Sequence, residues 1–88
     1  MSVELLIDVV GWIGAILILG AYALLTAGKV DARSIVYQGM NVIGALGFIA
    51  NGWWYGAMPS ATLNVIWAGI GLVALWKIRQ AGAAANRA

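Results

Sequence analysis

Three apolar stretches, roughly Leu5–Ala27, Ser34–Tyr55 and Pro59–Ile78, occupy almost the whole of this 88-residue chain, and nearly every charge lies outside them. A helix rises about 1.5 Å per residue, so about 20 apolar residues match a hydrocarbon core about 30 Å thick. Each stretch meets that length. A soluble chain this short needs a polar surface, yet 64% of the residues are hydrophobic and 9% charged, far from ordinary globular usage. The pattern predicts an all-α membrane protein, a bundle of three transmembrane helices over residues 1–80, followed by a short polar tail, 81–88.

Three helices enclose little volume, so most of their surface must face lipid or a partner. Oligomerisation, or incorporation into a larger complex, is the expectation. The absence of cysteine and histidine excludes disulfides, thiolate chemistry and histidine–metal sites. Only Glu4, Asp8 and Asp31 remain as carboxylates, too few for an acid–base dyad within a membrane. No enzyme, metal or cofactor is therefore expected. The net charge of +2 is small and localised and gives no reason to expect nucleic acid.

The first stretch differs from a signal peptide. Its N-terminal flank carries Glu4 and Asp8 instead of basic residues, and Leu25-Thr26-Ala27 makes a poor cleavage site. It reads as a retained helix. In a three-helix arrangement all five basic residues, Lys29, Arg33, Lys77, Arg79 and Arg87, fall on one side, while Glu4, Asp8 and the uncharged Gly56-Ala57-Met58 loop fall on the other. The positive-inside rule then places the N-terminus outside and the C-terminus in the cytoplasm. One fixed orientation makes any homo-oligomer parallel.

Helix one carries Gly11-x-x-x-Ala15 and Ala23-x-x-x-Ala27, small-residue pairs that permit close backbone approach. Gly28 should terminate it, and Ser34 or Asp31 should cap helix two. In helix two, Tyr37, Asn41, Gly44, Phe48, Asn51 and Tyr55 recur at spacings of four and three, along one broad face. Pro59 opens helix three, where its missing N–H is harmless, with Ser60 as a cap. Asn64, Trp67 and Gly71 then share a face.

Polar side chains in hydrocarbon need a partner or a role. By depth, Asp8, Asn51 and Asn64 fall in the outer half, where they could form one polar cluster; Gln38 and Asn41 fall in the inner half beside Tyr37. The candidate substrate-binding residues are Tyr37, Asn41, Asn51, Asn64 and Trp67. The plainer reading makes the amides inter-helix glue worth about 1 kcal/mol each. It leaves Asp8 solvated in a first turn and makes Trp53, Trp54, Tyr55 and Trp76 belt aromatics.

The residues Gly11-Trp12-x-Gly14-Ala15, Ala21-Tyr22, Gly28-Lys29, Tyr37-Gln38-x-x-Asn41-x-x-Gly44-Ala45, Asn51, Ala57-x-Pro59-Ser60-x-x-Leu63-Asn64 and Trp67 resemble a family of small bacterial three-helix membrane proteins, sometimes labelled permease-like. The resemblance covers most of residues 11–67. It implies a multi-pass protein of the bacterial inner membrane and carries no activity. A more remote resemblance, in Ser34-x-x-Tyr37, Tyr55-Gly56 and Pro59-x-x-x-x-Asn64, is to the SemiSWEET half-transporters, which pair as parallel dimers to move sugars. It implies a substrate contact at Asn64. Helix one departs by having no proline, and Gly52 stands where a pocket tryptophan is expected. These features together suggest an oligomeric half-transporter for a small polar solute. The rival reading is a non-catalytic accessory or assembly subunit of a larger membrane complex.

Overall fold

A computed structural model describes residues 2–87, with side chains through Gly82. It is all-α, with α1 at Val3–Thr26, α2 at Ile35–Trp54 and α3 at Met58–Arg87. Each boundary has a local cause. Ser2 caps α1, its hydroxyl accepting the Leu5 N–H at 3.1 Å, and Ser34 caps α2 by accepting the Tyr37 N–H at 3.0 Å. Asp31 is not the cap; its carboxylate accepts the Arg33 N–H at 2.7 Å and shapes the turn.

α1 and α2 end in the same way. Gly28 and Gly56 adopt φ of 74° and 72°, a backbone region open to glycine at little cost. The residue after each glycine then donates back into the last turn, Lys29 to the Leu24 carbonyl at 2.9 Å and Ala57 to the Gly52 carbonyl at 2.7 Å, a Schellman closure. Ser60 does not cap α3. The Ala57 carbonyl accepts the first helical bond, from Ala61, so Ser60 lies inside the first turn beside Pro59.

α3 also runs well past Ile78, its helical backbone extending through residues 81–87 of the expected tail. The tail is polar at its edges but rich in alanine, the strongest helix former.

α2 is the central helix. It packs against both neighbours, while α1 and α3 do not approach each other. Gly14 of α1 meets Gly44 of α2 backbone to backbone: a Cβ on Gly14 would stand 2.6 Å from the Gly44 carbonyl oxygen. Gly47 lies against Val10 in the same seam. On the other side, Gly52 packs on Ala61 and Gly71 receives Val42. These pairings run in opposite chain directions, so α2 is antiparallel to both flanking helices, and α1 and α3 are parallel to each other.

The core is thin and built of small residues: Ala21, Ala45, Ala61 and Ala68 are buried with Val42, and no large side chain among the described residues is fully buried. Among the described residues two helices, α1 and α3 over Met58–Gly82, are long and apolar enough to cross a membrane. α2 falls short because Gln38, Asn41 and Asn51 and four glycines dilute its apolar content.

Candidate functional site

With α1 and α3 on separate flanks of α2, a groove is left open between them. At about 100° per residue, Tyr37, Asn41, Phe48 and Tyr55 fall on the sector of α2 between its two partner faces, with Gly44 at its edge in the α1 seam. Ile35, Val36, Ile43, Leu46 and Trp53, all exposed, cover the opposite sector.

Two clefts occupy the groove. The first, about 280 Å³, is lined by Asp8, Gly11, Trp12 and Ala15 of α1 and by Phe48 and Asn51 of α2. The second, about 330 Å³, is lined by Ile18 of α1, Phe48 of α2, and Ser60, Leu63, Asn64 and Trp67 of α3. Phe48 belongs to both and divides them.

Among the described residues Asn41, 5% exposed, is the buried polar one. Its amide NH₂ donates to the Tyr37 carbonyl at 2.8 Å, and its Oδ1 accepts the Trp67 indole N–H at 3.3 Å. Tyr37, half-buried, thus meets Asn41 through its backbone and lines neither cleft. Trp67 is a wall of the second cleft and an anchor between α2 and α3.

Asn51 donates to the Ile7 carbonyl at 3.0 Å, tying α2 to α1. Asn64 donates to Ser60 in its own helix at 2.9 Å, and Gln38 donates to the Ala32 carbonyl at 2.8 Å. Each of these amides meets a backbone carbonyl, and no buried side-chain polar atom among the described residues lacks a partner. Asn51 thus both ties two helices and lines the first cleft, whereas Asn64 bonds within α3 and lines the second.

The expected cluster of Asp8, Asn51 and Asn64 is split. Asp8 and Asn51 share the first cleft, whereas Asn64 lines the second, beyond Phe48. The cause is the fold: Asn51 is held by α1, and α3 stands away from α1.

Asp8 has a partner, for the Tyr55 hydroxyl donates to its Oδ1 at 2.5 Å. Tyr55 caps α2 in the turn beyond the helix. Its phenol is held above the ordinary 10.0, first by this hydrogen bond, then by desolvation and by the charges of Asp8 and Glu4. The sequence carries a signal for the pair. A hairpin folded near Asp31 brings residues at similar distances from the turn together, Asp8 at 23 residues and Tyr55 at 24 among them.

Fold and groove together define an all-α, three-helix protein with two helices able to span a membrane and a polar, aromatic groove along the third. A protein-family model matches residues 7–82, most of the chain, and the chain belongs to that family, one of unknown function. No curated protein and no solved structure matches it.

Proposed function

We propose that this chain is a small multi-pass protein of the bacterial inner membrane, with three spanning helices, whose parallel copies close the groove into a passage for a small polar solute. Asn51, Asn64 and Trp67 would contact the solute directly, with Asn41 and Tyr37 setting the position of Trp67. The observation that carries this reading is the groove itself, a face of amides and aromatics left open between two apolar helices.

Three further features support it. The apolar windows of α1 and α3 are only 11% and 17% buried, whereas the core helix of a soluble protein would be mostly covered. α1 meets α2 backbone to backbone through Gly14, the close small-residue packing expected of neighbouring spans. Because α1 and α3 are parallel, a chain leaving α1 on one side must return through α2 before α3 can begin, so α2 would be a third span despite its polarity.

Arg33 and Lys77 line one cleft at a single end of the bundle, and Asp8 with Tyr55 marks the opposite end. That segregation supports an outer N-terminus and a cytoplasmic C-terminus. An open groove with polar contents also favours a partner copy over lipid, since hydrocarbon offers amides nothing.

The test is permeation in reconstituted vesicles, followed by light scattering with glycerol, erythritol, xylose and glycine. At least one solute should enter faster than into empty vesicles, and Asn51→Ala with Asn64→Ala should slow it several-fold. Permeation equal to that of empty vesicles for every solute would overturn the passage. Folded variants that match the wild type would overturn the site. A chain recovered from native membranes only within a large heteromeric assembly would favour an accessory subunit.

A further inference from the structure

The end of the bundle away from Tyr55 and Asp8 holds a third cleft, outside the proposed passage. It has a volume of about 460 Å³ and is lined by Ala32 and Arg33 of the α1–α2 turn and by Ala74, Lys77, Ile78 and Ala81 of α3. Its two cations arrive from separate elements. Its other walls are methyl and aliphatic groups.

The turn is held in place by the Asp31 carboxylate, which accepts the Arg33 N–H, and by the Gln38 amide on the Ala32 carbonyl. No carboxylate lines the cleft among the described residues. Glu4 and Asp8 lie in the first turns of α1, and Asp31 accepts a backbone N–H. Lys77 follows Met58 by 77 − 58 = 19 residues, which at about 1.5 Å each is about 28 Å, close to one hydrocarbon thickness. Arg33 immediately precedes α2, so both cations sit at the level where α2 and α3 would leave the hydrocarbon.

Two cations over an apolar wall at that depth match a phosphodiester with an attached acyl chain. The guanidinium fork suits a phosphate's paired oxygens, and the ammonium adds a point charge. Ile70, 60% exposed, continues the face of Ala74 and Lys77 one turn deeper, where an acyl chain would lie. We infer that this cleft binds an anionic phospholipid, its phosphate between Arg33 and Lys77 and an acyl chain along Ala74 and Ile70. The inference rests on the membrane reading above.

Native mass spectrometry of the full chain in mild detergent tests it, with phosphatidylglycerol and phosphatidylcholine of identical acyl chains. Phosphatidylglycerol should be retained at least tenfold more strongly. R33A/K77A should abolish that preference, R33K/K77R should keep most of it, and K29A/R79A, which removes as much charge outside the cleft, should leave it intact. Equal retention of the two lipids, or equal losses in R33A/K77A and K29A/R79A, would overturn the site. Inorganic phosphate binding as tightly as phosphatidylglycerol would overturn the lipid assignment. The membrane reading is judged separately: release from membranes by alkaline carbonate would defeat it, whereas a chain that stays embedded yet ignores lipid charge defeats only this inference.

Discussion

Gly14→Ala tests how closely α1 and α2 meet. The new Cβ would stand 2.6 Å from the Gly44 carbonyl oxygen, where ordinary contact begins at 3.4 Å, and the obstruction is backbone that no rotamer change can clear. The helices must therefore part by about 0.8 Å, the difference of those two distances. A gap of that size forfeits a quarter to a half of the dispersion energy along the seam. It also stretches the Asn51–Ile7 bond from 3.0 Å beyond hydrogen-bonding range. Overpacking costs about 1–3 kcal/mol, and a lost hydrogen bond about 1 kcal/mol, so the expected destabilisation is about 3 kcal/mol. Gly39→Ala is the control, because nothing lies within 4 Å of the Cβ it would add. Unfolding in mixed micelles, followed by tryptophan fluorescence, suits the comparison because the helices persist in the unfolded state and helix propensity largely cancels. Gly39→Ala should fall within about 0.5 kcal/mol of wild type. Wild-type stability in Gly14→Ala, or equal losses in both variants, would refute the backbone-to-backbone seam.

Trp67→Phe removes the donor to Asn41, leaving the oxygen of a buried amide unpaired. It should cost about 1–3 kcal/mol in the same assay, and adding Asn41→Leu should recover part of the loss; simply additive losses would show that the two residues are not coupled. The Tyr55 phenol should titrate above 10.0 by ultraviolet absorbance, assigned by difference from Tyr55→Phe, and Asp8→Asn should bring it down. Because folding favours the neutral phenol, its contribution to stability is complete below the unfolded pKa and fades as pH rises through the folded value. A phenol titration unchanged by Asp8→Asn would exclude the pair.

The helices were legible because their stops are local. Gly28 and Gly56 supply the backbone that a helix end needs, and Ser34 supplies a cap, all within a few residues. The extension of α3 reflects the helix propensity of Ala81 and the alanines after it, which outweighs the polar edges of a terminal segment. The stripe from Tyr37 to Tyr55 followed from helical spacing, and the fold sets its middle, with Asn41 and Phe48, between α1 and α3. The partners within the groove depend on which helix lies at the centre, which spacing along one helix does not encode. Depth alone suggested that Asn51 and Asn64 share a cluster, but helices at equal depth can stand apart. Similarly, the Asp8–Tyr55 bond needed the hairpin register, since neither residue is unusual within its own helix.

The bonds already made in the groove limit what could pass through it on the proposed reading. An asparagine offers two N–H donors and an acceptor oxygen. Asn51 and Asn64 each commit one N–H to a helix carbonyl, so each retains one donor and one acceptor. A hydroxyl group both gives and takes a hydrogen bond, so it matches that remainder. An ion does not, for among the described residues Asp8 is the one charged residue lining the two groove clefts, and it already accepts a bond from Tyr55 at one end. Moving an ion past Phe48 and Trp67 would leave its charge uncompensated between aromatic walls, a cost far above that of a neutral group able to satisfy its hydrogen bonds. The aromatic faces instead suit the C–H surfaces of a neutral solute. Glycerol, erythritol and xylose should therefore permeate ahead of zwitterionic glycine, each measured against empty vesicles, and the reverse order would refute a passage matched to neutral solutes.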